Sequence, residues 1–175
     1  MQQHTYATAP RLLRLWLWLD QDSNDRPLEG TTQLLAETGQ LHGGDGVVRL
    51  SMAVSRITGQ LWHDQVGRQV RAAKVRELTA VRRDLGMPEL VPLLVDVLGA
   101  WATSDPRTLA EAVAVTDRAY ADAHRLMGRL GMSGLLSLTA VVAVHLLSAQ
   151  ADALDTTTDA LLDRLVLHYR EAELE

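Results

Sequence analysis

The sequence predicts an all-α fold, a single-domain helical bundle of about six or seven helices over residues 1–175. Prolines and glycines divide the chain into helix-length segments, and no segment shows a sustained strand alternation rich in β-branched and aromatic residues. A length of 175 residues is enough for one sizeable core and short for two. The 47% apolar and 22% charged residues are typical of a soluble globular chain.

The N-terminal part of the chain predicts two short helices and a glycine-rich turn. A first helix over residues 9–20 precedes the polar segment QDSNDRP, in which Pro27 suits the first position of a second helix over 28–38. The four glycines of GQLHGGDG, residues 39–46, then predict a loop or sharp turn. This segment is a poor phosphate site, because it lacks the preceding strand and the Gly-Lys-Ser/Thr ending of a P-loop, and because Asp45 repels an anion.

The longest periodic segment, residues 45–85, predicts one long helix. Apolar residues recur along it at steps of three and four, and it contains no proline. Gly59 and Gly67 are the positions where this helix is expected to bend or split. Unbroken, it would be about 60 Å long and would need a neighbouring helix along its length.

Four further helices are bounded by proline, glycine or capping residues. They cover residues 89–102, residues 107–129, residues 135–150, and a last helix from the capping segment 155–159 to about 170–173. Pro92 is acceptable only in the first turn of its helix. The segment TSDP, with Ser104 or Asp105 as N-cap, starts the next helix, and GMSG at 131–134 separates that helix from the one after it.

Residues 135–150 are the most apolar segment and contain His145. The run from Leu135 to Ala149 is about fifteen residues long, whereas a helix that spans a bilayer needs about twenty. A helix that is apolar all round but too short to span predicts a buried core helix and no membrane contact. We expect His145 to be neutral and hydrogen-bonded to a backbone carbonyl or to another helix.

The amino-acid composition excludes several classes of functional site. Cysteine is absent, which excludes disulfides, thiolate zinc sites, iron–sulfur ligation and cysteine nucleophiles. No cofactor or metal is expected, because no Glu-x-x-His or His-Glu-x-x-His spacing occurs. The first residues lack the basic and long apolar regions of a secretory signal, which predicts a cytoplasmic protein. Sixteen arginines against one lysine indicate a high-GC, bacterial type of genome, so arginine content alone is no evidence for phosphate binding.

The one local cluster with catalytic potential is DRAYADAH, residues 117–124. On a helix, Asp117, Tyr120 and His124 share a face and could present an acid, a hydroxyl and an imidazole together. The alternative is a half-exposed helix in which the tyrosine packs and the other two side chains meet solvent. These residues are weak catalytic candidates, and the sequence favours a protein that is not an enzyme.

Basic residues are concentrated in one segment. Residues 45–84 hold eight basic and four acidic residues, in a chain whose net charge is −5. A basic helix face can follow a phosphate backbone or dock on an acidic protein surface. The candidate nucleic-acid contacts are Arg68, Arg71, Lys74, Arg76, Arg82 and Arg83. The chain offers only weak fits to a helix-turn-helix, and its overall acidity also disfavours nucleic acid.

Binding to other protein chains is the function that best accounts for the remaining features of the sequence. Trp16 and Trp18 lie two positions apart, so a helix points them about 200° apart and one of them is expected to be a surface anchor. The long helix also needs a partner, within the chain or across a dimer axis. The sequence therefore predicts a small cytoplasmic protein that binds other protein chains, its own copy included, as an adaptor, assembly or regulatory subunit. A nucleic-acid-binding regulator is the alternative.

Overall fold

Nearly all of the described chain lies in α-helices. In this computed structural model the described residues are 9–16, 27–80, 87–102 and 109–171, with side chains described for all of these except Pro27 and 166–171. They form seven helices and no strand: α1 (residues 9–16), α2 (Pro27–Val66), α3 (Ala72–Thr79), α4 (Val91–Trp101), α5 (Leu109–Met127), α6 (Arg129–Ala153) and α7 (Thr158–Glu171), with a 3₁₀ turn at Pro88–Leu90 before α4. The predicted all-α helical bundle is confirmed.

The chain turns sharply inside α2, at Gly43. This residue has a non-helical backbone, with φ 67° and ψ −168°. A β-carbon on Gly39 would lie 3.7 Å from Val47 Cγ2, whereas residues eight apart in a straight helix are separated by about 12 Å along its axis. The segments before and after Gly43 therefore fold against each other at what we call the Gly43 corner. It confirms the sharp turn predicted for residues 39–46.

The helix that follows the Gly43 corner ends at Val66, so the prediction of one long helix over 45–85 is wrong in its second half, and the break falls at Gly67, one of the two glycines at which a bend or split is expected. Gly67 adopts φ 98°, and its N–H donates to two carbonyl oxygens of the preceding turn, each at 3.1 Å. This is a glycine C-cap, in which a residue without a side chain takes the left-handed conformation. The chain becomes helical again in α3, and residues 81–86 lie outside the described part.

Helix α6 forms the centre of the bundle. It packs most extensively against α2 and α5 and also contacts α3, α4 and α7. Every residue from 133 to 144 is buried, as expected for the apolar helix predicted there. By length and composition α6 could cross a membrane, but most of it is buried inside the bundle, which is compatible with a soluble protein. His145 Nδ1 donates to the Val141 carbonyl oxygen at 2.9 Å, which is one of the bonds predicted for it.

Helix α6 begins at Arg129, within the segment predicted to precede it, and the prediction that GMSG separates two helices is wrong. A β-carbon on Gly131 would come within 2.0 Å of the Ala123 carbonyl oxygen, and one on Gly134 within 2.3 Å of Met87 Sδ. These glycines allow neighbouring backbone and side chains to approach α6 closely. The residue that separates α5 from α6 is Gly128, with φ 62°.

Two groups of contacts give the direction of α2 relative to α6. Near the end of α2, Gln65 Nε2 donates to the Leu146 carbonyl oxygen at 2.8 Å, in the last third of α6. Nearer the Gly43 corner, Ser55 and Thr139 both lie beside the hydroxyl of Tyr120. The part of α2 after the Gly43 corner therefore runs in the same direction as α6.

The turns between the helices then show which helix ends lie at the same end of the bundle. Because the tight Gly128 turn joins α5 to α6, α5 runs opposite to α6. The Gly43 corner and the Gly128 turn consequently lie at one end of the bundle, and the ends of α2 and α6 lie at the other. Trp101 links the helices near this second end, because it packs against Gly59 of α2 and donates from Nε1 to Thr116 Oγ1 at 2.7 Å.

Three of the predicted helix starts lie in the described residues, and the first of them is Pro27, at which α2 begins. Thr157, within the predicted capping segment, accepts the Ala160 N–H on its hydroxyl oxygen at 3.2 Å, at the start of α7. Pro92 occupies the first turn of α4, the place predicted for it. The N-cap predicted at Ser104 or Asp105 lies outside the described residues.

An ion-pair cluster joins the first described helix to the last. Arg14 in α1 donates from Nε to Asp159 Oδ1 at 3.0 Å and from Nη2 to Asp163 Oδ1 at 2.5 Å, both in α7. All three side chains are at least a third exposed, so this cluster sets the position of α1 on α7 more than it stabilises the fold.

Candidate interaction surfaces

The three catalytic candidates of α5 do not form a site. Tyr120 is buried at 8% exposure and points into the bundle, whereas Asp117 and His124 are exposed to solvent. The tyrosine hydroxyl is therefore screened from a substrate that the other two side chains could reach. Among the described residues, no three histidine or acidic side chains are grouped in a way that could hold a metal ion.

The Tyr120 hydroxyl instead belongs to a buried cluster of hydroxyl groups from α2, α5 and α6. Burial raises the pKa of Tyr120 to about 12, and the nearby hydroxyls of Ser51, Thr139 and Ser55 act in the opposite direction. Ser51 and Thr139 donate to carbonyl oxygens of their own helices, at 3.0 and 2.8 Å. The Tyr120 and Ser55 hydroxyls are left without a well-formed hydrogen bond. This geometry is that of a core polar cluster, because its phenol stays protonated and lies away from solvent.

Trp16 is a core residue, which contradicts the expectation that it could be an exposed anchor. Its exposure is 3%, and its Nε1 donates to Thr31 Oγ1 at 3.1 Å. The hydrogen bond satisfies the indole N–H while the ring packs between α1 and α2. Trp18 lies outside the described residues, and its role as an anchor stays a prediction.

The predicted basic stripe is interrupted by the end of α2. Arg68 and Arg71 are exposed but precede α3, in the non-helical connection. In α3, Lys74 Nζ pairs with Glu77 Oε1 at 2.7 Å, while Arg76 is exposed. No continuous helix aligns these four residues as the sequence predicted. The other two candidates, Arg82 and Arg83, lie outside the described residues.

A groove of about 440 Å³ lies between α1 and the first part of α2. Leu15 and Leu34 are among its lining residues. Arg11 on its rim is 3.7 Å from a carboxylate oxygen of Glu37, and Arg14 is held by α7. The rim charges are thus already paired, and the groove presents no described polar group in need of a ligand.

Large exposed apolar side chains lie at the two ends of the bundle. In the part of the chain that the structure describes there are eight of them, and each is within five residues of a helix end or of the Gly43 corner. The end with the Gly43 corner and the Gly128 turn carries Leu41, Val48, Leu126 and Leu130, and the opposite end carries Val66, Leu109, Val113 and Leu154. Exposed apolar side chains that cluster in this way are typical of surfaces that bind another macromolecule.

The Gly128 turn combines such leucines with positive charge. Leu126 is 60% and Leu130 46% exposed, and each follows an exposed arginine, Arg125 or Arg129. Arg125 pairs with Asp122 one turn earlier in α5, whereas Arg129 has no side-chain partner among the described residues. We call residues 125–130 the basic corner.

The opposite end of α6 combines an exposed leucine with negative charge. Leu154 is 55% exposed and lies between the exposed residues Asp152 and Asp155. Neither aspartate side chain has an ion-pair partner among the described residues. We call residues 152–155 the acidic corner.

The charges at both corners oppose the helix macrodipole of α6. A helix is stabilised by acidic residues at its N-terminus and by basic residues at its C-terminus, by about 0.3–1 kcal/mol each. Helix α6 has no acidic residue in its first turn and no basic residue in its last turn. It begins instead with Arg129 and carries Asp152 in its last turn. The stability of α6 therefore does not account for Arg129 and Asp152, whereas Arg125 lies in the last turn of α5, where a basic residue is favourable.

Sequence reasoning missed both corners. The available signal was a leucine beside charges of one sign at a helix junction, in RLMGRL (125–130) and DALD (152–155). Neither pattern by itself predicts that the helix junction stays uncovered in the fold.

Comparison with known proteins finds no relative from which a function could be inferred. No family model matches the sequence, and no curated protein or solved structure matches it significantly. The surfaces described above therefore rest on the chain's own geometry and chemistry.

Proposed function

We propose that this is a small cytoplasmic helical protein of bacterial type that acts by binding protein chains, its own copy included, as an adaptor, assembly or regulatory subunit. The observation that carries the proposal is the set of exposed leucines at the two ends of the bundle. Full burial of a leucine side chain contributes about 1.5–3 kcal/mol. Burial of two leucines in an interface therefore contributes a large part of the binding free energy that corresponds to a micromolar dissociation constant.

The setting of these leucines supports the proposal. Leu126 and Leu130 flank a tight turn between two packed helices, so little conformational freedom is lost when a partner covers them. Charged side chains surround them, which is typical of an apolar contact with a polar rim. The catalytic alternative lacks such support because its three residues are split between core and surface, and the nucleic-acid alternative because its basic residues are not aligned on one helix.

Light scattering across a concentration series tests the proposal. We expect a mass above that of the 19.2 kDa chain that falls on dilution. The double variant Leu126→Ser/Leu130→Ser should weaken association at least about tenfold, because loss of two interface leucines removes more than about 1.4 kcal/mol. Ala114→Ser/Ala121→Ser is the matched control, since it introduces two serines at exposed positions of α5 that belong to neither set of exposed apolar side chains.

Three results would contradict the proposal. One is a monomeric protein over the whole concentration range that also co-purifies with nothing from its native cell. Another is equal weakening by the control and by the double variant. The third is a mass that rises only with mixed-sequence DNA and falls as salt is raised, which would favour the nucleic-acid alternative.

A further inference from the structure

Helix α6 keeps two complementary surfaces apart. It has 25 residues, so its ends are about 37 Å apart at 1.5 Å per residue. The basic corner, with Leu126 and Leu130, lies at its start, and the acidic corner, with Leu154, lies at its end. The two corners of one molecule cannot meet, but those of two molecules can.

Resting on the proposed function, we infer that copies of this chain associate head to tail, with the basic corner of one copy docked on the acidic corner of the next. The exposed leucines then cover one another, and the unpaired Arg129 meets Asp152 and Asp155. The N-terminal end of one α6 also faces the C-terminal end of another, so the charges that oppose the macrodipole within a helix become favourable between helices.

Charge argues for this arrangement over a two-fold dimer in which one corner meets its own copy. A two-fold contact built on one corner would bring that corner against its own copy. The basic corner would place Arg129 near a second Arg129, and the acidic corner would place aspartates near aspartates. Like charges in such a contact disfavour binding. A head-to-tail contact pairs opposite charges at every junction.

Head-to-tail contacts leave one unused corner of each kind at the ends of every open assembly. The assembly therefore either grows as an open series or closes as a ring, depending on the rotation between successive copies. It should also dissociate as salt is raised, because both corners are exposed and their charges are screened.

Charge reversal at one corner at a time tests the inference. Arg125→Glu/Arg129→Glu gives a chain with two acidic corners. Asp152→Lys/Asp155→Asn gives a chain whose last corner is basic, with asparagine at 155 because that position has φ 50°, which asparagine tolerates. We expect each variant alone to associate at least about tenfold more weakly than the wild type. An equimolar mixture of the two should regain most of the mass.

Two controls separate this effect from damage to the fold. Arg71→Glu/Arg76→Glu makes the same change of charge at residues outside both corners and should leave the mass unchanged. The thermal midpoint of Arg125→Glu/Arg129→Glu should stay near that of the wild-type chain, because the gain from an acidic residue at the start of α6 offsets the loss of a basic residue from the last turn of α5.

The possible outcomes are distinct. If the wild type associates but the mixture does not regain mass, the head-to-tail contact is wrong while protein association stands. If only one of the two corner variants shows a lower assembly mass than the wild type, the inferred contact between the corners is also wrong. If the wild type is monomeric at all concentrations, self-association fails together with this inference. Sedimentation with phosphatidylglycerol vesicles by a protein that does not self-associate would assign the basic corner to a lipid surface and overturn the inference.

Discussion

Replacing Gly59 with alanine is expected to destabilise the protein by about 2–3 kcal/mol. The new β-carbon would lie 2.2 Å from Trp101 Cβ and 2.7 Å from the Trp101 carbonyl carbon. These atoms belong to the backbone and the root of the side chain, so a change of rotamer cannot move them away. The substitution must therefore push α4 away from α2, at the place where Trp101 also bonds Thr116.

Urea unfolding followed by helical circular dichroism measures this effect, with Gly99→Ala as the matched control. Gly99 lies in α4, is exposed, and has no heavy atom within 4 Å of the position a β-carbon would take. Alanine there should stabilise the protein by about 0.5–1 kcal/mol, because glycine is the poorer helix former. Equal stabilities for the two variants would show that α2 and α4 do not pack at Gly59 as described.

Raising the pH from 10 to 12 is expected to lower the stability by about 2–3 kcal/mol through Tyr120 alone. Burial raises the folded-state pKa of Tyr120 from 10.0 to about 12. Between these values the unfolded chain has lost the phenolic proton and the folded chain still holds it, so increasing pH favours unfolding. Below pH 10 both states hold the proton, and Tyr120 contributes no pH dependence.

Tyr120→Phe removes this dependence and provides the test. At pH 7 the variant should be about as stable as the wild type or slightly more stable, because the lost hydroxyl is buried without a well-formed hydrogen bond. Between pH 10 and 12 its stability should fall less steeply in urea titrations. The other tyrosines and the single lysine are present in both proteins, so they cancel in the comparison. Parallel pH profiles would show that Tyr120 is not buried.

The helix pattern could be predicted from the sequence because it depends on local signals. Apolar periodicity, Pro92 and the capping threonines act within a few residues, and the helices they predicted are present, except that the helix predicted over 45–85 ends at Val66. Glycines were harder to interpret. Gly43 and Gly128 adopt positive φ and turn the chain, whereas Gly131 is helical and admits a neighbouring backbone. The sequence shows a glycine in each case, and only the packing distinguishes the two uses.

The surface could not be predicted for a similar reason. The helical period places Asp117, Tyr120 and His124 on one side of α5, but the neighbouring helices decide that only the tyrosine is buried. Likewise, the sequence alone does not show that Trp16 has Thr31 as its hydrogen-bond partner. The corners at the ends of α6 depend on which helix junctions stay uncovered, which local periodicity does not contain.

The central position of α6 also determines when the helices of the bundle can pack together during synthesis. The ribosome makes α2 and α5 before residues 129–153, although α2 packs most extensively on that helix and α5 packs on it as extensively as on α4. Until α6 emerges, a large part of the apolar surface of the earlier helices stays uncovered, and a nascent chain in this state is prone to aggregate. Arg14 meets its α7 partners, 145 and 149 residues later in the chain, only after α6 has emerged. Folding of this bundle is therefore a late event in translation, and a chain cut before α6 should need a chaperone to remain soluble.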